Sequence, residues 1–271
     1  MGIFTHHSLT KLKQKLLLIE HIRRQRQVGI ALNDQQQLDL LASIAPLMRD
    51  CNFPDDKDPA YRYYFKNDQF SFGDAIVYQA LLRHLKPSRV VEVGSGYSSA
   101  VALDAREAYT LGINLTFIEP YPERLYSLLR PADRASTSIF AEKVQSICLK
   151  AFDVLSDGDI LFIDSSHVAK TGSDLCYLLF EIVARLKPGV IVHFHDCFWP
   201  FEYPRPWVLN DLRNWNELYF IRAFLMFNRR FEVIFFNDYL AKRYPDVCHE
   251  ACPKFMNNPG GGLWLRVTAE T

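Results

Sequence analysis

Residues 90–102 read "VVEVGSGYSSAVA". An apolar strand runs straight into Gly94 and Gly96, and a helix can begin immediately after them. Glycines at such a turn let the backbone approach a ligand with no Cβ in the way, while the helix start offers free N–H groups. The question for the rest of the chain is whether this strand–turn–helix unit repeats.

It does, from Asp74 onward. A helix over 75–85 precedes the strand "RVVEVG", and a helix over 98–109 leads to "NLTFIEP". A third helix, over 122–129, leads to "TSIF". Next come "DILFID", a helix over 172–186, the strand "GVIVHF" and a helix around 210–227. "FEVIFF" and "GLWLRV" close the chain. Strands alternating with helices predict an α/β fold, a mostly parallel sheet with helices on both faces. Ligands of such sheets bind beyond the carboxyl ends of the strands.

Ahead of this unit, residues 8–28 have a helical period, with Leu9, Leu12, Leu16 and Ile19 on one face and several lysines and arginines around them. The stripe predicts docking on the chain's own domain or on a second subunit, as a homo-oligomer; an anionic membrane surface is the other reading. A further helix is expected over 34–48, capped by Asn33 or Asp34 and interrupted near Pro46. The proline-containing stretch 51–74 reads as a linker or as a loop over the site. The expected division is an N-terminal helical extension and linker over 1–73 and a catalytic domain over 74–271.

Composition narrows the partners. The 271 residues are 49% hydrophobic and 23% charged, ordinary globular material. The 31 basic and 31 acidic residues cancel, so no global charge points to nucleic acid. No apolar run is long enough for a transmembrane segment, and the start of the chain lacks a secretory signal's apolar core. A cytoplasmic protein with its six cysteines reduced is expected. Cys248 and Cys252 have no second cysteine pair to complete a zinc site and read as loop cysteines.

Glu119 ends the second strand about twenty residues after the glycine turn, where a carboxylate can accept both hydroxyls of an adenosine ribose. A solvated strand-end acid is the plainer reading. A dinucleotide fingerprint would have a third glycine at the position of Ser99, which counts against a nicotinamide cofactor. The run Glu92-Val93-Gly94-Ser95-Gly96, with Glu119 on the next strand, resembles the first two motifs of class I S-adenosylmethionine-dependent methyltransferases. The order of elements from about Asp74 to Val267 is similar to that fold as well. The resemblance implies a Rossmann-like seven-stranded sheet whose last strand inserts antiparallel to the others. It also implies a cofactor site for S-adenosyl-L-methionine formed by Glu92, Gly94, Gly96, Tyr97 and Ser98. In it Glu119 would hold the ribose, and the loop at Val144 and Gln145 would lie near the adenine.

Two later strands end in acid and histidine. "DILFIDSSH" runs into Asp164 and His167, and "GVIVHFHD" into His195 and Asp196. In the methyltransferase sheet order these strands are neighbours, about 4.8 Å apart. Their terminal carboxylates can therefore share one hard cation, and without it they would repel. The pattern resembles the metal-dependent O-methyltransferases, in the macrocin or sugar O-methyltransferase-like branch, where a histidine occupies the base position. The resemblance implies His167 as general base and Asp164, His195 and Asp196 as ligands of a divalent metal (Mg, Mn or Fe). A mixed oxygen and nitrogen set suits manganese or iron better than magnesium. Plainer readings stand beside these: Asp164 as a helix cap, His167 bonded to backbone, His195 as support for Asp196. Lys170 is a second basic candidate. His193, inside an apolar strand, reads as a satisfied core histidine.

The aromatic stretch after "GVIVHFHD" suits a stiff wall for an acceptor ring, with Tyr203, Trp207, Trp215 and Glu217 as candidates. Phe220, Phe224 and Phe227 have helical spacing and are expected to pack inward. The expected activity is a metal-assisted O-methylation of a sugar, a glycoside or a small polyhydroxylated metabolite. The rivals are an iron-dependent oxygenase resembling the cephalosporin-hydroxylase-like branch and a non-catalytic subunit that binds an adenosine ligand.

Overall fold

The structure, a computed structural model, describes residues 29–269. The leucine stripe at 8–28, and with it the expected route to a homo-oligomer, lies outside the described residues. Seven strands form one sheet: β1 Arg89–Val93, β2 Asn114–Ile118, β3 Ser138–Phe140, β4 Ile160–Ile163, β5 Ile191–Phe194, β6 Phe231–Phe236 and β7 Leu263–Val267. Their order is β3-β2-β1-β4-β5-β7-β6, with β7 antiparallel to both of its neighbours and the other pairings parallel. The strand order reverses between β1 and β4, the switch point at which sheets of this kind open a crevice. This is the Rossmann-like sheet expected from the sequence.

Alternation along each strand builds two cores. Val90, Phe117, Phe162 and Trp264 face one side, and Val91, Val93, Leu161, Val192 and Leu265 face the other. One row crosses the sheet in register on the first side, from Phe117 through Glu92, Phe162 and His193 to Trp264. His193 is a core residue, its ring 4.1 Å from that of Phe162 and 4.2 Å from that of Trp264. It is not the satisfied histidine expected, because neither ring nitrogen has a hydrogen-bond partner among the described residues. Burial keeps it neutral by pushing its pKa well down.

The helices are α1 Asp34–Arg49, α2 Phe72–Leu85, α3 Tyr97–Ala108, α4 Glu123–Leu128, α5 Pro131–Ser136, α6 Lys150–Asp153, α7 Asp174–Tyr177, α8 Arg205–Leu209, α9 Glu217–Leu225, α10 Asn237–Arg243 and α11 Pro245–Ala251. None is long and apolar enough to cross a membrane. Helix α1 buries Leu41, Ile44 and Met48 in the same core as α2 and α3. Cys248 and Cys252 are buried there too, which makes them packing residues.

Several expectations need correction. Helix α1 runs through Pro46 instead of breaking there. A proline so near the end removes only one bond of the helix, and burial of Ala45 and Met48 secures the turn. Asn33 makes no side-chain cap; its amide donates to the Val233 carbonyl, and Asp34 accepts from the Tyr239 and Tyr244 hydroxyls. The helix read over 122–129 is followed by a separate α5. The one read over 172–186 changes pitch twice, through a π turn at Leu178–Ile182 and a tight turn at Val183–Arg185.

The helix read over 210–227 begins only at Glu217. There the N–H groups of Asn216 and Glu217 donate to the His167 carbonyl, so the site holds the chain out of helix up to that point. Its inward face is Leu218, Ile221 and Leu225, while Phe220 is 39% and Phe227 75% exposed. Phe224 is half-buried against Phe231.

The segment before α2 is a loop over the site, held by charge. Buried Arg62 bonds Asp104 and Glu107 of α3 and both carboxylate oxygens of Asp133 in α5. Residues Asn67 to Ser71, just beyond, line the main cleft.

Candidate active site

The crevice opens where β1, β4 and β5 end. Gly94 turns the chain at φ 83°, and a Cβ there would stand 1.7 Å from the Asp164 carbonyl oxygen. Only glycine lets the β1 turn and the β4 end approach so closely. Ser99 gives the missing third glycine a reason: its hydroxyl accepts from the Gly96 N–H and donates to Glu92. Ser98 donates to the same carboxylate oxygen, so Glu92 braces the start of α3 from below. Glu92 is fully buried and lines neither hollow described next.

Two hollows share Gly94, Glu119, Asp164 and Ser165 in their walls. One, a cleft of about 510 Å³, also holds Gly96, Tyr97, Ser98, His167, His195, Asp196, Trp207 and Trp215. The other, about 450 Å³, holds Val144, Gln145 and the exposed Lys170. Glu119 stands between them, accepting from the N–H groups of Ser95 (3.1 Å) and Tyr121 (2.8 Å). A carboxylate has about four acceptor sites, so capacity for two ribose hydroxyls remains. Burial raises its pKa despite these bonds.

At the floor of the cleft lies a carboxylate–imidazole cluster. His167 Nδ1 is 2.6 Å from Glu217, and its Nε2 is 3.3 Å from Asp164 and 3.4 Å from Asp196. His195 Nδ1 is 3.5 Å from Asp164 and 3.6 Å from Asp196, while its Nε2 is 3.4 Å from Asp74. Four carboxylates thus face two imidazoles, and negative charge remains even with both rings protonated. Asp164, His195 and Asp196 each offer one donor atom, all within 4.8 Å of one another. His195 is 4% exposed, yet neither ring nitrogen makes a hydrogen bond among the described residues. Excess negative charge and an orphaned imidazole fit a bound dication.

The backbone is strained at two of these residues. His167 has φ 59° and Asp196 φ 56°, left-handed conformations that cost of order 1 kcal/mol or more outside glycine. The His167 carbonyl is held by Asn216 and Glu217, and the peptide after Asp196 by the Gly261 carbonyl.

Charges set the protonation. Burial alone would lower the pKa of His167, but Asp164 and Glu217 lift it to about 10. His195 likewise goes well up against burial because of Asp196, Asp164 and Asp74. Burial raises Asp196 to about 6, with His195 and His167 opposing. Asp164 is held well below the usual range, since His195 and His167 outweigh burial.

One wall is aromatic. The Trp215 ring centroid lies 4.1 Å from that of His167, Trp207 lies 5.5 Å from Trp215, and Arg213 sits 4.0 Å over Trp207. Trp207 and Trp215, two of the acceptor candidates named from the sequence, both line the cleft. Tyr203 is buried behind them, its hydroxyl accepting from the Leu218 N–H. Glu217 is buried on His167 instead of lining the cleft.

Asp74 escaped the sequence reading. It opens α2 inside no motif, and nothing short of the folded chain brings it to His195.

One comparison with known proteins falls on the β1–β5 part of the chain. A family model described as a methyltransferase domain matches residues 91–197. An uncharacterised protein of Archaeoglobus fulgidus is 32% identical over 136 residues, 49% of this chain and 61% of that relative. The chain thus spans about three-fifths of the length of the curated relative it matches. Among solved structures, the SAH-bound Podospora anserina methyltransferase PaMTH1 aligns over 99% of each chain, at 16% identity and TM-score 0.47. The O-methyltransferase TomG of Streptomyces achromogenes, in complex with SAM, aligns over 84% of this chain and 89% of its own, at 16% identity and TM-score 0.44. A CmcI structure with Mg and SAM aligns over 71% of this chain and 70% of its own, at 17% identity and TM-score 0.40.

Proposed function

The chain carries a methyltransferase domain of the class I, S-adenosylmethionine-dependent kind, and from that premise we propose that it methylates a hydroxyl of a small polyhydroxylated molecule with the help of a divalent cation. The observation that carries this reading is the position of His167 Nε2, facing Asp164 and Asp196 on the floor of a cleft bordered by Gly94 and Glu119. The methyl donor fits the glycine turn and the ribose-accepting Glu119, with Val144 in the second hollow beside the adenine. Asp164, His195 and Asp196 are the cation's donors.

When bound, the donor's sulfonium supplies an electrophilic methyl and the cation lowers the pKa of a substrate hydroxyl. The remaining work belongs to the chain. Asp164 and Asp196 would hold the cation, and with their charge engaged there only Glu217 would still favour a proton on His167, on Nδ1, so that Nε2 would be free to accept one. His167 takes the hydroxyl proton as the O–C bond forms and the C–S bond breaks. Glu217 on Nδ1 keeps the ring turned to the cleft and stabilises the resulting imidazolium. Trp207 and Trp215 wall the acceptor against His167, and alignment of acceptor with methyl accounts for much of the rate. A cleft of about 510 Å³ lies within the range of small-molecule sites. A sugar or glycoside suits its mixture of polar floor and stacking wall. A cytoplasmic location belongs to this reading.

The donor set also bears on the oxygenase alternative. Among the described residues it comprises one histidine and two carboxylates, whereas the facial iron triad has two histidines and one carboxylate.

The test is a methyl-transfer assay with S-adenosylmethionine and a panel of vicinal diols and glycosides, read by mass spectrometry, before and after chelation. Methylated product that vanishes with chelator and returns with Mn²⁺ is expected. Equal turnover after exhaustive chelation would remove the cation, and failure to bind S-adenosylmethionine would remove the whole reading.

A further inference from the structure

We infer that Asp74 is a positioning residue that fixes the tautomer of His195, leaving Nδ1 as a nitrogen donor beside Asp164 and Asp196. The inference rests on the cation reading above and deepens it. The ion is then of the class that accepts an imidazole, such as Mn²⁺ or Fe²⁺, in preference to Mg²⁺.

The geometry is directional. His195 turns Nδ1 toward the two strand-end aspartates and Nε2 toward Asp74 Oδ2 at 3.4 Å. The ring is 4% exposed and neither nitrogen is spent on a protein hydrogen bond, so both are available, one to an ion and one to Asp74. A ligating histidine characteristically donates its other N–H to a carboxylate, which sets the ring and raises its basicity.

Asp74 is itself held in place. Its Oδ1 accepts from the Gly261 N–H at 3.1 Å and from the Asn237 amide at 3.3 Å. Both bonds lie on Oδ1, which leaves Oδ2 to His195. Residue 260 must be small for this packing, because a Cβ there would stand 2.0 Å from Asp74 Oδ2. The carboxylate comes from the first turn of α2, whereas the donors come from the ends of β4 and β5.

This arrangement makes Asp74→Asn an informative change. The amide oxygen would stay with its two donors, Gly261 and Asn237, and the NH₂ group would then face His195 Nε2. A donor in that position forces the ring proton onto Nδ1 and removes the lone pair from the cation's side.

The experiment titrates the full chain with Mn²⁺, following the spin-resonance signal of free Mn²⁺, and records nitrogen modulation of the electron spin echo on the bound ion. Wild type should show nitrogen modulation. Asp74→Asn should bind Mn²⁺ roughly 10- to 100-fold more weakly and lose the modulation, with S-adenosylmethionine affinity unchanged by calorimetry. His195→Gln should lose the same modulation, and the double variant should bind no more weakly than either single one. Should Asp74→Asn not fold, the wild-type nitrogen spectrum in the Zn²⁺-loaded protein decides, with a proton on Nε2 supporting the inference and one on Nδ1 overturning it. Unchanged modulation in a folded Asp74→Asn, or additive losses in the double variant, overturns the inference and leaves the cation reading standing. A wild type that binds no Mn²⁺ overturns both, while its affinity for S-adenosylmethionine still judges the methyl-donor reading separately.

Discussion

His167 and Glu217, fifty residues apart, meet at 2.6 Å between Nδ1 and a carboxylate oxygen. Both side chains are buried, and the Glu217 N–H also donates to the His167 carbonyl. Side chain and backbone therefore fix the ring together, and Ser165 supports the same carboxylate through its hydroxyl. The second nitrogen, Nε2, is left pointing at the cleft floor.

Removing that partner should reduce turnover without disturbing donor binding. Glu217→Ala is expected to lower kcat roughly 10- to 100-fold, the range for loss of an orienting partner, with KM for the methyl donor unchanged. Glu217→Gln should recover part of the loss, because its amide oxygen can still accept from Nδ1–H. Steady-state rates on the acceptor found by the diol screen give the answer, and a KM effect with unchanged kcat would assign Glu217 to binding instead.

His167→Ala should act more severely. If Nε2 is the proton acceptor, kcat should fall roughly 10²- to 10⁴-fold, while Mn²⁺ and S-adenosylmethionine affinities stay near wild type. Retained turnover would transfer the base to another group.

Glu119 is expected to govern affinity for the donor. Its carboxylate already orders the Ser95 and Tyr121 N–H groups at the rim of both hollows. Glu119→Ala should cost about 1.5–3 kcal/mol of binding, the usual loss for a hydrogen bond to a charged group, or roughly 10- to 150-fold in calorimetric Kd. Unchanged affinity would place the ribose elsewhere.

The sheet was legible because β1, β2, β4, β5 and β7 are apolar runs with glycine or acid beside them, and the polar ends of β1, β2, β4 and β5 fall at one edge of it. Asp164, His167, His195 and Asp196 could be named from sequence for that reason, since a parallel sheet brings its carboxyl ends together. Other features depend on contacts that periodicity does not carry. The stretch 210–216 holds only Leu212 and Trp215 as apolar residues, too few to mark where the helix starts, and it is the His167 carbonyl that fixes the chain at Asn216 and Glu217. Phe227 keeps a helical period with Phe220 but lies past the end of α9 and is 75% exposed. Asp74 and Glu217 act through histidines far away in sequence, and an isolated carboxylate looks the same in a sequence whether it meets water or imidazole.

Gly94 tests how closely the donor turn and the β4 end are coupled. Alanine there must adopt φ 83° and place its Cβ 1.7 Å from the Asp164 carbonyl oxygen. One of the two segments has to move. Gly94→Ala should destabilise the fold by more than ~1 kcal/mol, lowering Tm by at least roughly 2–4 °C, and should weaken both Mn²⁺ and S-adenosylmethionine. Loss of one ligand with full retention of the other would show that the segments move independently.

Glu92 makes the fold's stability depend on pH. Burial lifts its carboxyl from an ordinary 4.5 to about 8, against the opposing hydroxyl bonds from Ser99 and Ser98. The folded chain therefore keeps this proton through a range in which the unfolded chain has lost it. The stability this group contributes is fully present below about pH 4.5, declines as pH rises, and is gone above about pH 8. Glu92→Gln is neutral at every pH and can still accept from Ser98 and Ser99 through its amide oxygen. Its NH₂ group would take the place of Oε2, which has no partner, so the variant should be less stable than wild type at pH 5. Its stability should nevertheless change less between pH 5 and pH 8, and the two curves should converge as the wild-type carboxylate becomes charged. Urea unfolding at several pH values measures this directly. An equally steep decline in Glu92→Gln would assign the pH dependence to the imidazole–carboxylate cluster instead of to the carboxyl beneath the glycine turn.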